Sequence, residues 1–212
     1  MTPIEAALRD MLGPSVAVAL SDPRETTDDL MPDEQAYITR AIPKRRYEFA
    51  AGRRAARHAL TELGLPPTAI PQAPDRAPVW PEGIVGSITH CDTLCIAALA
   101  PKSVYNSLGI DIEPSTTLSA DLHKAICTAP ELHYLASLPS ETRGVDAKRI
   151  FCAKEAFYKA QYPLTLKSLG FQDVTLQFSL EQSLFHVKSG GHGSILVQTI
   201  NGLILASCAV SA

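Results

Sequence analysis

The sequence predicts an α+β fold built of two similar lobes, residues 1–105 and residues 106–212. Two observations lead to this prediction. Short apolar runs between turn residues predict strands in both halves, and a longer stretch with helical periodicity lies between the strands of each half. The order of strand, helix and antiparallel strands therefore occurs twice along the chain, which two similar lobes packed face to face would explain.

The first half has a helical region between two groups of strand residues. VAVAL at 16–20 predicts a short buried strand. A helical region extends over 32–63, where Pro43 is expected to interrupt the helix and Gly64 to end it. After a proline-rich loop, IVGSITH and LCIAALA predict two strands connected by a tight turn at 91–93.

The second half begins with LGIDIE, a predicted strand that ends at Pro114. A loop and helices follow as far as Gln161. The segments VTLQFS, LFHVK, SILVQTI and LILASCAV then predict four more strands. The second lobe therefore repeats the order of elements predicted for the first.

The composition excludes several classes of protein. The formal charge of -3 at pH 7 argues against a domain that binds nucleic acid through bulk positive charge. No apolar stretch is long enough to span a bilayer, and the N-terminus lacks the basic start and apolar run of a secretory signal. The five cysteines form no CxxC motif and predict reduced thiols. We therefore expect a cytoplasmic protein that binds neither nucleic acid nor membrane. A monomer is the default expectation for a cleft built within one chain.

Two acidic residues of the LGIDIE strand are expected to share one face. Strand side chains alternate between faces, so Ile110 and Ile112 enter the core while Asp111 and Glu113 project from the other side. Their Cα atoms would lie roughly 6.6 Å apart, close enough for both carboxylates to reach one cation. The alternative is a half-buried edge strand with its polar face in water, since Asp-x-Glu is a common pattern.

The segment 147–161 predicts a helix that carries a glutamate among lysines. Lys148, Cys152, Glu155 and Lys159 fall on one stripe of this helix. If the stripe faces the strand acids, Glu155 would add a third oxygen to a metal ion, and the lysines would hold phosphate oxygens beside it. Such a site suits phosphoryl transfer. The alternative is an amphipathic helix with its charged face in solvent.

Basic residues crowd one helical stretch, KRRYEFAAGRRAARHAL, and hydroxyl groups and an imidazole end a neighbouring strand. Guanidinium groups can bind phosphate in bidentate fashion, so the stretch is a candidate anion site. In Gly86-Ser87-Ile88-Thr89-His90, Ser87 and Thr89 share a face, and glycine allows a ligand or another backbone to approach closely. A charged outer helix face and a structural histidine are the alternatives.

In their order along the chain, these segments resemble the 4'-phosphopantetheinyl transferases. G-I-D-I-E-P at 109–114 and F-C-A-K-E-A-F-Y-K at 151–159 are similar to the two signature motifs of that family. R-R-x-E-F-x-x-G-R at 45–53 and P-V-W-P-x-G-x-V-G-S-I-T-H at 78–90 resemble its Sfp-like single-chain class. Within that class they look closest to the branch of enterobactin synthetase component D.

The resemblance implies a pseudo-twofold α+β fold of the transferase type, with coenzyme A in the cleft between the lobes. It also implies a set of site residues, all identified by motif. Mg²⁺ would be bound by Asp111, Glu113 and Glu155. The diphosphate of coenzyme A would be contacted by Lys154 and Lys159. The phosphates of the nucleotide half, chiefly the 3'-phosphate, would be held by Arg45, Arg53, Thr89 and His90, with Arg76 from the proline-rich loop.

The implied activity is that of a holo-[acyl-carrier-protein] synthase, with Glu155, Lys159 and Asp111 as catalytic residues. A serine of an acyl or peptidyl carrier protein would attack the β-phosphorus of coenzyme A, and Glu155 would remove its proton directly or through a water. A water or a second carboxylate could take that role, since binding to Mg²⁺ lowers the pKa of a carboxylate.

A docking surface for the carrier is expected within 115–138. Its candidate contact residues are Ile126, Leu132 and Leu135, for which the alternative is a place in the core of a helix. Transferases of this type also tend to accept acylated coenzyme A, as the resemblance implies.

Two other functions compete with this reading. A metal-dependent nuclease or phosphohydrolase also uses Asp, Glu and Lys around Mg²⁺, but a common nuclease arrangement places the lysine two residues after the glutamate, where this chain has Ser115. A nucleotide-binding or carrier-binding scaffold would leave Glu155 without a role.

Overall fold

A computed structural model describes residues 1–179 and 183–212. The chain forms two compact units, Met1–Leu108 with Ser211–Ala212, and Gly109–Val210. The boundary predicted from the sequence lies between residues 105 and 106. The structure places it within a strand that runs from Tyr105 to Pro114.

The first unit contains helices on an antiparallel sheet. Its elements are α1 (Pro3–Leu12), β1 (Ala17–Ser21), α2 (Pro32–Gln35), a 3-10 turn (Ala36–Ile38), α3 (Pro43–Glu62), β2 (Ile84–His90) and β3 (Cys95–Pro101). The strands are ordered β1-β3-β2. All three predicted strands are confirmed, and α3 begins at Pro43, where a break was expected.

Helix α3 packs on the sheet through small side chains. Ala55, Ala56 and Ala59 are fully buried and join the core formed with β1 and β3. Alanine is the strongest helix former and allows a close approach between a helix and a sheet. One side of α3 is therefore fixed against the sheet, and its arginines lie along the remaining sides.

Helix α1 was not predicted from the sequence. Thr2 caps it through the backbone of Glu5, whose side chain accepts from the backbone of Thr2 in return. Leu8 and Leu12 form part of its buried face. The Thr-x-x-Glu pattern of a capping box was the available signal.

The second unit is a five-stranded sheet with a long helix against it. Its elements are β4 (Tyr105–Pro114), α4 (Ala120–Ile126), α5 (Ala129–Ser137), α6 (Ser140–Thr165), a 3-10 turn (Phe171–Asp173), β5 (Thr175–Ser179), β6 (Leu184–Ser189), β7 (Ser194–Ile200) and β8 (Leu203–Ser211). The strand order is β4-β8-β7-β6-β5. All five predicted strands are confirmed, and with them the α+β class.

Helix α6 is longer than the predicted 147–161 and extends at both ends. Gly144, in its added N-terminal part, packs closely against the preceding loop, since a Cβ there would lie 2.2 Å from Cγ2 of Thr117. Pro163 lies in the last turn, near the end of the helix. The predicted apolar side, Ile150, Ala153 and Phe157, is buried in the core of the unit.

The docking surface for a carrier expected within 115–138 is not formed by the residues predicted for it. Ile126 and Leu135 are buried in the core of the second unit, and Leu132 packs against that core. They pack there because α4 and α5 lie against α6. Ile126 and Leu135 therefore stabilise the fold and offer no surface to a partner, and Leu132 is only partly exposed.

The cysteine prediction is confirmed, because all five cysteines are free thiols. None of the helices in residues 1–179 and 183–212 combines the length and apolar character needed to cross a bilayer.

Candidate functional site

Strand β4 and helix α6 meet without an intervening side chain at Gly109. A Cβ at this position would lie 2.0 Å from the carbonyl oxygen of Ala156 and 2.6 Å from the amide nitrogen of Ala160. Only glycine fits against a helix backbone at that distance. This contact brings the face of β4 that carries Asp111 close to the part of α6 that carries Glu155 and Lys159.

Lysines of α6 form ion pairs with both strand acids. Lys159 Nζ donates to Asp111 Oδ1 over 2.7 Å and to the carbonyl oxygen of Ile110 over 3.2 Å. Lys148 Nζ donates to Glu113 Oε2 over 3.2 Å. The predicted stripe on α6 therefore does face the two acids of β4. Asp111 is buried, and Glu113 is half-buried.

Glu155 lies on the same stripe, between the two lysines, and its charge interacts with both acids of β4. Burial raises the pKa of Glu155, and the charges of Asp111 and Glu113 raise it further, against an opposing effect of Lys159. Burial likewise raises the pKa of Glu113, although Lys148 opposes the shift. Three carboxylates are thus concentrated where water screens their repulsion poorly, an arrangement that favours a cation.

The three acids do not converge in the expected way. Within the part of the chain that the structure describes, no group of three His, Cys, Asp or Glu side chains is close enough to hold a metal ion. Two of the acids are bound by lysines. The donor set still fits Mg²⁺, which prefers carboxylate oxygens. Binding of Mg²⁺ by Asp111, Glu113 and Glu155 stays a prediction.

Lys154 is surrounded by acceptors of its own unit. Its Nζ donates to Glu131 Oε2 over 2.7 Å, to the carbonyl oxygen of Phe171 over 2.7 Å and to that of Ile126 over 2.9 Å. An ammonium group has three protons, so a diphosphate could bind Lys154 only by displacing one of these acceptors. The predicted contact with a diphosphate is untested, and the structure gives Lys154 a structural role.

Lys154→Met is expected to destabilise the protein by about 3–5 kcal/mol, because it leaves the buried carboxylate of Glu131 without its counter-ion. Urea unfolding followed by circular dichroism would measure the change. Lys167→Met is the matched control, because Lys167 is exposed. Equal stability of the two variants would contradict the structural role.

An apolar cavity of about 190 Å³ opens beside Glu155. Its lining includes Phe157, Tyr158, Leu169 and Phe171. The cavity lies within the second unit, and it can hold an aliphatic or amphipathic group next to the carboxylate of Glu155.

The first unit places Arg45 and His90 together. Arg45 Nη1 lies 3.4 Å from His90 Nε2 and 3.7 Å from Glu48 Oε2, and His90 Nε2 also lies 3.7 Å from that oxygen. Arg45 comes from the first turn of α3 and His90 from the end of β2. The two residues were expected to act on the same phosphates, and Glu48 was not expected beside them.

Arg53 is a buried cation about two turns further along α3 than Arg45. Its Nε donates to the carbonyl oxygen of Ile70 over 3.1 Å, and its guanidinium carbon lies 3.9 Å from the centre of the Phe49 ring. Its Nη2 is buried, with no hydrogen-bond partner among the described residues. Burial lowers the pKa of Arg53 to about 10, and the charge of Arg45 contributes to the lowering. Arg53 therefore stays charged at neutral pH, with donor capacity for an anion.

Two further candidates differ in their surroundings. Thr89 is buried on β2, next to His90. Arg76 is exposed and has a left-handed backbone, with φ of 73°. It lies in a turn where its amide donates to the carbonyl oxygen of Ala73. A role of Arg76 at a nucleotide stays a prediction. A Cβ at Gly86 would lie 2.1 Å from Cδ2 of Leu99 and 2.9 Å from the carbonyl oxygen of Ala98, so the close approach expected at this glycine is made by the neighbouring strand.

Several contacts of the candidate site residues were not predicted from the sequence. Lys148 was assigned to the stripe of Glu155, but its pairing with Glu113 was not foreseen. Glu131 occupies the last position of the capping box Thr128-x-x-Glu131, so a cap could have been predicted from the sequence. Its ion pair with Lys154 depends on tertiary packing, for which the sequence holds no local signal.

Comparison with known proteins yields two family matches. Residues 33–100 match a family model described as the 4'-phosphopantetheinyl transferase N-terminal domain. Residues 107–204 match the model of the 4'-phosphopantetheinyl transferase superfamily. The first match lies within the first unit, and the second begins two residues before the second unit.

The chain is also similar to individual proteins. The chain is 41% identical over 174 residues to 4'-phosphopantetheinyl transferase Npt of Nocardia iowensis, covering 81% of this chain and 78% of the relative. It is 33% identical over 155 residues to enterobactin synthase component D of Escherichia coli K12, covering 71% of each. A solved holo-(acyl-carrier-protein) synthase of Bacillus anthracis is 17% identical with a TM-score of 0.42, covering 51% of this chain and 98% of that one, a likeness too distant to support a conclusion.

Proposed function

This chain belongs to the 4'-phosphopantetheinyl transferase family, and we propose that it transfers the 4'-phosphopantetheine group of coenzyme A to a serine of an acyl or peptidyl carrier protein. Adenosine 3',5'-bisphosphate is the other product. The finer activity within the family is that of a holo-[acyl-carrier-protein] synthase. The protein acts in the cytoplasm as a monomer, without nucleic acid or membrane.

One observation carries the proposal. Asp111 and Glu113 of β4 are ion-paired with Lys159 and Lys148 of α6, and Glu155 between those lysines interacts with both acids. Phosphoryl transfer is catalysed mainly by positioning and by compensation of charge on phosphate oxygens. Carboxylates for a divalent cation and lysines for the phosphates, gathered on two facing elements, supply both.

The reaction forms one bond and breaks one. The serine oxygen bonds to the phosphorus that carries pantetheine, and the bond from that phosphorus to the bridging oxygen breaks, so the electron pair leaves with adenosine 3',5'-bisphosphate. Glu155 accepts the serine proton, directly or through a water. Burial and the charges of Asp111 and Glu113 raise the pKa of Glu155 in the absence of Mg²⁺, and a bound ion would lower it. Lys159 moves from Asp111 to the diphosphate oxygens.

Mg²⁺ is the proposed cofactor. Asp111, Glu113 and Glu155 would hold it, once Lys148 and Lys159 release their carboxylates. When bound, the ion supplies charge compensation for the diphosphate.

The nucleotide phosphates are assigned to the first unit. Arg45 and His90 lie together, and Arg53 has a buried Nη2 directed at no acceptor among residues 1–179 and 183–212. Thr89 adds a hydroxyl, and Arg76 an exposed positive charge. The cavity beside Glu155 suits the aliphatic pantetheine arm.

Mass spectrometry of a carrier protein tests the proposal. Incubation with coenzyme A, Mg²⁺ and apo carrier protein is expected to add about 340 Da to the carrier, the mass of the transferred group. Chelation with EDTA is expected to stop the addition, and excess Mg²⁺ to restore it. A carrier in which alanine replaces the acceptor serine is the control.

The competing functions give other results. A phosphohydrolase would consume coenzyme A without modifying the carrier, and a scaffold would bind coenzyme A without consuming it. Either result, obtained with acyl and peptidyl carriers alike, would overturn the proposal.

A further inference from the structure

Glu34 is a completely buried carboxylate to which the proposed function gives no role. It lies in α2, and its relative exposure is 0%. Arg57 Nη1 donates to both of its oxygens, over 2.9 and 2.8 Å. The backbone amides of Met31 and Ile70 donate to it as well, over 3.0 and 2.8 Å. Both oxygens of this carboxylate are therefore held by donors, which come from the N-cap of its own helix, from α3 and from the loop residue Ile70.

The peptide of Ile70 connects Glu34 to Arg53. The amide nitrogen of Ile70 is bound by Glu34, and the carbonyl oxygen of Ile70 accepts from Arg53 Nε over 3.1 Å. Phe49 lies against the face of the same guanidinium. The plane of Arg53 is thus set by a stacked ring and by a carbonyl whose own residue is held by Glu34. What remains is the Nη2 edge, which is buried and has no partner among the described residues.

Fold stability is a weak explanation for the charge of Glu34. A buried ion pair such as Glu34 with Arg57 contributes little more than well-packed apolar side chains would. Glu34 also acts on Arg53 through its charge, because it is the carboxylate that opposes the effect of burial on the pKa of Arg53. Glu34 therefore helps to fix the position of Arg53 and favours its charged form.

We propose that Glu34 is a positioning residue for the nucleotide end of the site, and that it directs the Nη2 edge of Arg53 at the 3'-phosphate of coenzyme A through the peptide of Ile70. The inference rests on the proposed function and adds to it a residue from outside the motifs. It separates the roles of the arginines of α3, because Arg57 holds Glu34 and Arg53 binds the phosphate.

The test compares coenzyme A with 3'-dephospho-coenzyme A. Glu34→Gln keeps the shape of the side chain, removes its charge and places an amide donor against the donors of Arg57 or Met31. We expect the Kd and KM of the variant for coenzyme A to rise about tenfold, the loss of roughly one hydrogen bond to a charged group. Both constants for 3'-dephospho-coenzyme A, and kcat, are expected to stay at the wild-type values.

Two controls separate positioning from stability. Leu8→Ala removes a buried side chain of α1, far along the chain from this network, and should lower the melting temperature without changing the preference for coenzyme A. In an Arg53→Lys background, Glu34→Gln should cause no further loss of that preference, because the residue through which it acts has been replaced. Glu34→Asp, a milder change, serves the same comparison if Glu34→Gln does not fold.

The outcomes are distinct. The proposal is supported if Glu34→Gln weakens binding of coenzyme A but not of 3'-dephospho-coenzyme A, and if this difference disappears in the Arg53→Lys background. The proposal is overturned if Glu34→Gln weakens binding of both nucleotides equally, or if it weakens binding of coenzyme A equally in the wild-type and Arg53→Lys backgrounds. Wild-type protein that binds both nucleotides equally also overturns it, while continued modification of the carrier would leave the proposed function intact. Wild-type protein that modifies no carrier would overturn the proposed function itself.

Discussion

Glu155→Gln is expected to lower the rate of phosphopantetheine transfer by about 10²–10⁴, the range over which a positioned general base contributes. The amide has nearly the shape of the carboxylate but cannot accept the serine proton. It also removes one of the three negative charges that are concentrated on β4 and α6. Loss of carrier modification, measured by mass spectrometry under saturating coenzyme A, would report the effect.

Binding of coenzyme A should persist in this variant. Lys159 and the arginines of the first unit are unchanged, so the Kd from calorimetry should stay within a few-fold of the wild-type value. Glu141→Gln is the matched control, since Glu141 is an exposed glutamate in the first turn of the same helix. Near-normal turnover by Glu155→Gln would remove Glu155 from the mechanism and shift the role of base to a water or another carboxylate.

The sequence predicted most of what depends on local pattern. The alternation of isoleucine with acids in β4 gave the correct face for Asp111 and Glu113, because side-chain direction in a strand follows from its period. The four-residue and three-residue steps of α6 likewise gave the stripe that faces them. Both patterns are properties of a single element, so no knowledge of packing was needed.

The sequence could not predict which residues hold the site residues in place. Lys154 belongs to the same motif as Glu155. Its side chain nevertheless points to Glu131, because adjacent residues on a helix lie about 100° apart around its axis. Glu34 lies in a segment without any recognisable motif, and its partner Ile70 is distant along the chain. Such contacts form only when separate segments pack, so their residues show no spacing or period in the sequence.

Gly109→Ala is expected to have the other large effect, although the substitution adds a single methyl group. The new Cβ would lie 2.0 Å from the carbonyl oxygen of Ala156, so the strand or the helix would have to move by more than 1 Å to reach ordinary contact. The carbonyl oxygen of Ala156 and the nearby amide nitrogen of Ala160 are both backbone atoms, so neither can rotate away from the new methyl group. A misplacement of about 1 Å between catalytic groups can cost 10²-fold in rate.

We therefore expect a fall in carrier modification of about 10²-fold together with a stability loss of about 1–3 kcal/mol from overpacking. Turnover and urea unfolding, measured on the same preparation, give the two quantities. Gly64→Ala is the control. Gly64 has a φ of 76°, and a Cβ added there would have no atom within 4 Å, so this change strains the backbone without a clash. It should cost some stability and leave turnover unchanged.

The two quantities together distinguish alignment from folding. If Gly109→Ala lost stability but kept full turnover at a temperature where it is folded, the contact of β4 with α6 would serve the core alone. A loss of turnover in folded protein would mean instead that Asp111 and Glu155 act as one site only while their backbones touch. Packing would then explain why the G-I-D-I-E-P motif begins with a glycine, because Gly109 sets the distance between the strand acids and the helix glutamate.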